Sequence, residues 1–205
     1  MIKTPENIYD FKELSPLFLQ GWHGDSNLFH KLIDENNPTI IIEIGTWLGL
    51  SAINMASYCK QKGYNTKVYC VDTWLGNYEW HTSDDPQVNM RLRNGYPQVY
   101  YQFLSNVIHS GVQDIITPFP NTSSIMSKYF KQHDVKSELI YIDASHEYFD
   151  VLRDLECYYE LLSENGVIFG DDYQWGGVRE AVNAFASQIG REVHVFDNNF
   201  WTLRK

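Results

Sequence analysis

From residue 39 onward, short aliphatic runs alternate with stretches that carry apolar residues at helical spacing. The first run, residues 39–44, is apolar almost throughout, as expected of a strand covered on both faces of a sheet. Further strands are predicted at residues 67–71, 114–118, 138–142 and 167–170. Helices are predicted at residues 51–63, 98–109, 123–133, 148–163 and 178–189. Residues 73–98 show little apolar periodicity and predict a long loop.

This alternation predicts an α/β fold with a doubly wound, mostly parallel sheet built from right-handed crossovers. Residues 192–196 and 200–203 flank Asp197-Asn198-Asn199, which predicts a closing antiparallel hairpin. The whole chain, residues 1–205, is expected to form a single domain. Residues 1–38 are expected to be a helical lead-in packed on that domain.

Acidic residues stand at the ends of four predicted strands. They are Glu43, Asp72, Asp143 and the pair Asp171-Asp172. In an open α/β sheet, ligands bind beyond the carboxyl ends of the strands. One aspartate at such a position is commonly a turn or capping residue. The four positions together favour a site, and His146 follows Asp143 closely enough to share it.

Composition narrows the classes of function. The chain is 43% hydrophobic and 20% charged, with 16 basic and 26 acidic residues and a formal net charge of -10. This balance disfavours nucleic acid and anionic membranes as main partners. No apolar run is long enough to span a bilayer, and no signal peptide is expected. Three scattered cysteines are typical of a reduced, cytoplasmic protein.

The first strand runs into the loop Glu43-Ile44-Gly45-Thr46-Trp47-Leu48-Gly49-Leu50-Ser51. Gly45 permits a tight turn, and Gly49 is expected to let the backbone approach a ligand. The loop lacks the third glycine of a dinucleotide site, which disfavours an NAD-dependent oxidoreductase. Glu43 would repel a diphosphate and would suit a cationic ligand. Asp72, at the end of the second strand, can accept hydrogen bonds from both hydroxyls of a ribose.

Three segments, IIEIGTWLGLSA, VYCVDTW and IYIDASHEYFDVLRDLECYYELLSENGVIFGDDY, together resemble the class I S-adenosylmethionine-dependent methyltransferases. The resemblance covers roughly residues 38–190, and the closing hairpin also matches that Rossmann-like fold. Within the superfamily, the chain is most similar to the small family that includes the macrocin-type sugar O-methyltransferases.

The resemblance implies a set of residues that bind S-adenosylmethionine. The methionine end would be held by Glu43, Gly45, Thr46 and Trp47, with Gly49 and Ser51 in the same loop. The ribose would be bound by Asp72, with Thr73 and Trp74 beside it. The adenine would lie near Asn121, Thr122 and Ser123, and Asp143 would border the cofactor.

The same resemblance implies that Asp143, Asp171 and Asp172 hold a divalent metal and that His146 is the general base. Asp171 departs from the family, which usually has glutamate at this position. Carboxylate ligands without a histidine or cysteine set suit Mg²⁺ or Ca²⁺. A sugar hydroxyl has a pKa far above 7, so a metal and a base would both assist its reaction.

Several aromatic residues lie in loop-like sequence. Trp74, Tyr78 and Trp80 are expected either to stack on a sugar or close over the site, or to cap the edge of the fold. Trp22 and Trp175 are further candidates. The other histidines, His23 among them, are interpreted as structural or surface residues.

The expected function is therefore O-methylation of a small hydroxylated molecule, a sugar or a glycosylated metabolite. Two alternatives remain open at this point. One is a metal-dependent methyltransferase for catechols or phenols, and the other is a non-catalytic cofactor-binding protein. The sequence is also compatible with a homo-oligomer.

Overall fold

The computed structural model describes all residues except 1, 3, 5, 11, 12, 78, 79, 86, 87 and 89. Its strands are β1 Ile40–Ile44, β2 Lys67–Asp72, β3 Ile116–Pro120, β4 Ser137–Ile142, β5 Leu162–Gly170, β6 His194–Phe196 and β7 Phe200–Arg204. Its helices are α1 Asn27–Asn36, α2 Leu50–Lys62, α3 Val99–His109, α4 Ser123–Gln132, α5 Tyr148–Tyr159 and α6 Gly176–Ile189. No helix within this described part of the chain combines the length and apolarity needed to cross a bilayer.

The strands form one sheet in the order β3-β2-β1-β4-β5-β7-β6. β1 to β5 pair in parallel, whereas β7 runs antiparallel to β5 and β6 runs antiparallel to β7. The strand order reverses between β1 and β4, and ligands of such sheets bind at that switch point. The predicted α/β fold with a closing antiparallel hairpin is confirmed.

Both faces of the sheet are covered, which explains the unbroken aliphatic run in β1. Successive strand side chains point to opposite faces. Ile41 packs in one core cluster with α1, α2 and α3, whereas Ile42 and Ile44 pack in a second cluster with α5 and α6. The central strands are therefore rigid, and they position the loops that follow their carboxyl ends.

Two predicted elements differ from the structure. Among the described residues of the lead-in, α1 is the one helix, and residues 13–21 form neither helix nor strand. The Phe18 backbone instead donates to Asn106 Oδ1 at 3.0 Å and accepts from Asn106 Nδ2 at 2.8 Å. The helix predicted at 148–163 ends at Tyr159, because Leu162 already pairs with Ser137 in the sheet.

Candidate active site

Two cavities meet at the carboxyl edge of the sheet. The β2-side cavity, about 380 Å³, lies beyond β1 and β2 and extends to the start of α4. The β5-side cavity, about 420 Å³, lies between residues 20–24 and the acids that follow β4 and β5. They share a wall that includes Gly45, Trp47, Asp143 and His146. Two ligands bound in the two cavities would therefore lie side by side.

Gly45 lets the loops after β1 and β4 pack directly on each other. Its φ is +84°, and an added Cβ would lie 1.9 Å from the Asp143 carbonyl oxygen. The Gly45 N–H donates to the Val71 carbonyl at 2.9 Å, and the Asp143 N–H donates to the Ile44 carbonyl at 2.8 Å. Only glycine fits this conformation and this contact without displacing the backbone.

Asp72 organises the loop after β1. Its Oδ2 accepts from the backbone N–H groups of Thr46 at 2.9 Å and Trp47 at 2.8 Å. Its Oδ1 accepts from the Trp74 N–H at 2.7 Å. Burial raises the pKa of this carboxyl, and the backbone hydrogen bonds oppose the rise. Asp72 and Thr73 also line the β2-side cavity, and this position permits the predicted contact with a ribose. The contact itself stays a prediction.

The buried groups of the same loop fit a ligand that donates hydrogen bonds and carries positive charge. Glu43 is fully buried, and its Oε1 accepts from the Ser51 hydroxyl. Glu43 Oε2 and Thr46 Oγ1 have no hydrogen-bond partner among the described residues. Burial raises the pKa of Glu43 to about 7. Glu43 lines neither cavity, so its contact with S-adenosylmethionine stays a prediction.

The residues predicted near the adenine do line the β2-side cavity. Asn121, Thr122 and Ser123 face it from the loop between β3 and α4. The Asn121 N–H donates to the Asp72 carbonyl at 2.9 Å, which joins this loop to the end of β2. Thr122 also caps α4 by accepting from the Ile125 N–H at 3.4 Å. Asp72 and these three residues therefore lie along one wall.

Two residues that were predicted to contact the cofactor pack against the core in the structure. Gly49, with φ +89°, borders the core, and an added Cβ would lie 2.9 Å from the Phe103 ring. Trp74 is only 2% exposed, and its ring packs against Tyr100 and Phe103 at centroid distances of 4.8 and 4.9 Å. Its Nε1–H donates to the Trp47 carbonyl at 2.7 Å. Its side chain is therefore part of the core and supports the loop from behind.

Another tryptophan of the same segment does reach the site. Trp80 lines both cavities, and its ring centroid lies 4.2 Å from that of Trp47. Tyr78, predicted to act with it, lies outside the described residues. Trp22 and Trp175 both line the β5-side cavity.

The acids after β4 and β5 form one cluster. Asp143 is hydrogen-bonded to Asp171 and accepts from the Tyr141 hydroxyl at 3.2 Å. Burial raises the pKa of Asp143 well above its usual range, and the charges of Asp171, Asp172 and Glu43 add to the rise. Burial, together with the charge of Asp172, raises the pKa of Asp171 to about 6. The cluster therefore brings several carboxylate oxygens together, and donors of this kind fit a divalent cation.

His146 lies beside this cluster. Its Nε2 is 2.8 Å from Asp172 Oδ2, and its ring is stacked on Trp175 with centroids 4.8 Å apart. One ligand atom from each of Asp143, His146 and Asp172 lies within 4.8 Å of the others. The structure thus brings together the predicted base and two of the three predicted metal ligands.

A second histidine, which the sequence did not assign to the site, borders the cluster from the other side. His23 Nδ1 lies 3.6 Å from Asp171 Oδ2, and ligand atoms of His23, Asp171 and Asp172 also lie within 4.8 Å of one another. Both such groupings contain a histidine, so the all-carboxylate metal set stays a prediction. The nearest signal in the sequence was the Gly-Trp-His-Gly stretch at residues 21–24.

Comparison with solved structures reveals the same fold in several methyltransferases. An O-methyltransferase from Bacillus cereus in complex with SAH superposes with a TM-score of 0.61 and 14% identity, covering 94% of this chain and 84% of that one. TomG from Streptomyces achromogenes, an O-methyltransferase involved in tomaymycin synthesis and solved with SAM, gives a TM-score of 0.62 and 14% identity, covering 100% of this chain and 91% of that one. CalS11, a TDP-rhamnose 3'-O-methyltransferase of calicheamicin biosynthesis, gives a TM-score of 0.59 and 15% identity, covering 86% of this chain and 76% of that one.

Sequence comparison identifies the family. Among curated protein sequences, none matches this chain. The family model described as a methyltransferase domain matches residues 42–173, which include the end of β1, all of β2 to β5 and every strand-end acid discussed above. The chain therefore belongs to the methyltransferase-domain family and is an S-adenosylmethionine-dependent methyltransferase.

Proposed function

We propose that this methyltransferase methylates a hydroxyl group of a small acceptor, a sugar or a glycosylated metabolite, with His146 as general base and a divalent metal in the acid cluster. One observation carries the proposal. His146 and Asp143 lie in the wall shared by the two cavities, and Asp172 is 2.8 Å from the His146 ring. A base and an acid cluster would then lie where a methyl donor and an acceptor meet.

The β2-side cavity is the proposed cofactor site. Asp72 and Thr73 would bind the ribose, and Asn121, Thr122 and Ser123 would lie along the adenine. When bound, S-adenosylmethionine supplies an electrophilic methyl group on a sulfonium. The buried Glu43 carboxyl and the nearby acids favour such a cationic ligand. SAH or SAM is bound in the Bacillus cereus enzyme and in TomG.

His146 would take the proton that the acceptor hydroxyl loses. Asp172 fixes the ring through its 2.8 Å contact and stabilises the imidazolium that forms. Stacking on Trp175 restricts the ring further. A positioned base of this kind contributes roughly 10²–10⁴-fold.

The acid cluster is the proposed metal site, with Asp143, Asp171 and Asp172 as ligands. When bound, a divalent cation supplies positive charge that lowers the pKa of a neighbouring hydroxyl. The burial of Asp171 supports the assignment, because buried carboxylates are stable when they are paired or coordinate a metal.

The β5-side cavity is the proposed acceptor site. Trp22, Trp80 and Trp175 contribute aromatic faces, and Gln20 and Gln174 contribute amide groups. Flat aromatic surfaces beside hydrogen-bonding groups suit a sugar ring, which has apolar faces and polar edges. The activity named for CalS11, methylation of TDP-rhamnose, is of this class.

The test is methyl transfer from S-adenosylmethionine to panels of nucleotide sugars, glycosides and catechols. We expect turnover with a sugar hydroxyl and a loss of 10²-fold or more, on the order expected for a missing base, in His146→Gln with unchanged affinity for SAH. His194→Gln, on the exposed edge strand β6, is the matched control and should keep full activity. Full activity of His146→Gln contradicts the base assignment. Full wild-type activity after treatment with EDTA contradicts the metal assignment, and turnover of catechols alone contradicts the acceptor class.

We also propose a cytoplasmic location. Cys59 and Cys70 are buried and Cys157 is half-buried, and all three are free thiols. Free thiols in a stable fold are typical of a reducing compartment.

A further inference from the structure

The segment before α1 places an imidazole against the buried end of the acid cluster. Gly24 is buried, and an added Cβ there would lie 2.8 Å from the Ser51 nitrogen, so the segment lies directly on the start of α2. His23, with φ +54°, begins a tight turn in which its carbonyl accepts from the Ser26 N–H at 3.1 Å. Its ring meets the Phe200 ring edge-on at 6.2 Å. These contacts hold the ring beside Asp171.

The spacing of this pair differs from that of the other histidine and its acid. His146 and Asp172 are 2.8 Å apart, which is a direct hydrogen bond. His23 Nδ1 and Asp171 Oδ2 are 3.6 Å apart. Two ligands on one cation, each with a bond of about 2.1 Å, lie roughly 3.0–3.5 Å apart. The His23 pair therefore has nearly the spacing of neighbouring ligands around an ion.

Charge in the cluster points the same way. Asp171 is 4% exposed, and ligand atoms of Asp172 and His23 lie within 4.8 Å of its carboxylate. Buried carboxylates are stable when they are paired or coordinate a metal. The His23 imidazole can supply a ligand nitrogen to a cation that balances these carboxylates. His23 Nδ1 also lies 3.3 Å from Asn199 Nδ2, a contact that the ion would displace.

We infer that His23 is a cation ligand and that His23, Asp171 and Asp172 form a mixed nitrogen and oxygen site for a divalent transition metal such as Mn²⁺. Imidazole nitrogen suits such metals, whereas Mg²⁺ and Ca²⁺ favour oxygen ligands alone. The inference rests on the proposed function for the presence of a cation in the cluster. It adds which atoms bind the ion, and therefore which ion the site prefers.

The first test is calorimetric titration of the full, chelator-treated chain with Mn²⁺ and Mg²⁺ separately, without an acceptor. We expect Mn²⁺ to bind more tightly than Mg²⁺, and His23→Gln to weaken Mn²⁺ binding by about tenfold or more with little change for Mg²⁺. His194→Gln, on the exposed edge strand β6, is the matched control and should keep the wild-type Mn²⁺ affinity. Equal Mn²⁺ affinity in wild type and His23→Gln overturns the inference.

A second test starts from the wild-type chain. Pulsed electron paramagnetic resonance of Mn²⁺ bound to the wild-type chain should show coupling to a nitrogen nucleus. The coupling should vanish in His23→Gln and persist in His146→Gln. Bound Mn²⁺ without nitrogen coupling overturns the inference while leaving the methyltransferase proposal intact. Absence of saturable Mn²⁺ binding overturns the inference together with the metal part of that proposal, and binding of SAH tests the rest independently.

Discussion

At the scale of single residues, the strand-end acids differ in what their carboxylates contact. Asp72 accepts three backbone N–H groups from two loops, whereas Asp172 contacts a histidine and Asp143 contacts another acid. Asp72 therefore stabilises a loop conformation, whereas Asp143 and Asp172, at the same edge of the sheet, are available to contact a histidine or a ligand. Asp72 is therefore expected to affect stability as well as cofactor binding.

Asp72→Ala tests this double role. The substitution leaves the N–H groups of Thr46, Trp47 and Trp74 without their acceptor. Hydrogen bonds to a charged group contribute about 1.5–3 kcal/mol each, and the raised pKa shows that the cost of burial offsets part of this. We expect a loss on the order of 2–3 kcal/mol in the free energy of unfolding, together with weaker binding of SAH. Denaturant titration and calorimetry measure the two effects.

The control for this variant is Asp114→Ala. Asp114 is an exposed acid paired with Lys60 at 3.3 Å, and an exposed ion pair contributes about 1 kcal/mol or less. Unchanged stability of Asp72→Ala would show that water or neighbouring groups replace the carboxylate. Unchanged affinity for SAH would remove Asp72 from the cofactor site.

At the scale of elements, α2 is bounded by two glycines that have left-handed backbone conformations for different reasons. Gly49 precedes the helix with φ +89° and faces the Phe103 ring, whereas Gly63 follows it with φ +73° and has no atom within 4 Å of an added Cβ. Alanine at either position would be strained, because its backbone would have to adopt a left-handed conformation. Only alanine at Gly49 also overpacks the core between α2 and α3.

Comparison of Gly49→Ala with Gly63→Ala isolates that contact. We expect Gly63→Ala to cost about 1 kcal/mol from backbone strain, and Gly49→Ala to cost a further 1–3 kcal/mol, roughly the cost of overpacking. Thermal and chemical denaturation of both variants measure the difference. Equal losses of stability in the two variants would show that the Phe103 ring moves aside freely. A loss of SAH binding in Gly49→Ala without a loss of stability would support the contact between Gly49 and the cofactor that the sequence predicted.

Residues whose surroundings are set by their neighbours in the chain could be predicted from the sequence, whereas residues whose contacts lie far along the chain could not. Strand ends such as Glu43 and Asp143 were placed correctly, because an aliphatic run and its first polar residue are neighbours in the chain. The partners of Gly49 and Trp74 were not predicted, because Phe103 and Tyr100 belong to α3, far along the chain. His23 was missed for the same reason, since its position depends on where a non-helical segment crosses the sheet edge.

At the scale of the whole molecule, three acids are buried within the described part of the chain: Glu43, Asp154 and Asp171. The chain carries a formal net charge of -10, and several of its acids are buried at the carboxyl edge of the sheet or beside it. Burial raises the pKa of Glu43 to about 7, and of Asp154 and Asp171 to about 6. Folding without a ligand is therefore expected to become less favourable as these groups ionise.

The direction in which stability changes with pH follows from the linkage between proton binding and folding. The folded chain binds a proton at Glu43 more tightly than the unfolded chain, in which the pKa lies near 4.5. Stabilisation by this proton is complete below that value and is lost as the pH rises to about 7. A rise of this size corresponds to about 3 kcal/mol at most. Asp154 and Asp171 act in the same direction over a narrower range.

We therefore expect the ligand-free, chelator-treated chain to be more stable near pH 5 than near pH 8. Glu43→Gln keeps the shape of the side chain without the charge, so its stability should fall less across this range. Glu192→Gln, an exposed glutamate near β6, should keep the wild-type dependence. Denaturant titrations at several pH values measure the slope for each chain. If Glu43→Gln and the wild type lose stability in parallel, Glu43 is ionised throughout that pH range. A group of the protein itself, and not the cofactor, must then neutralise the buried negative charge at the end of β1.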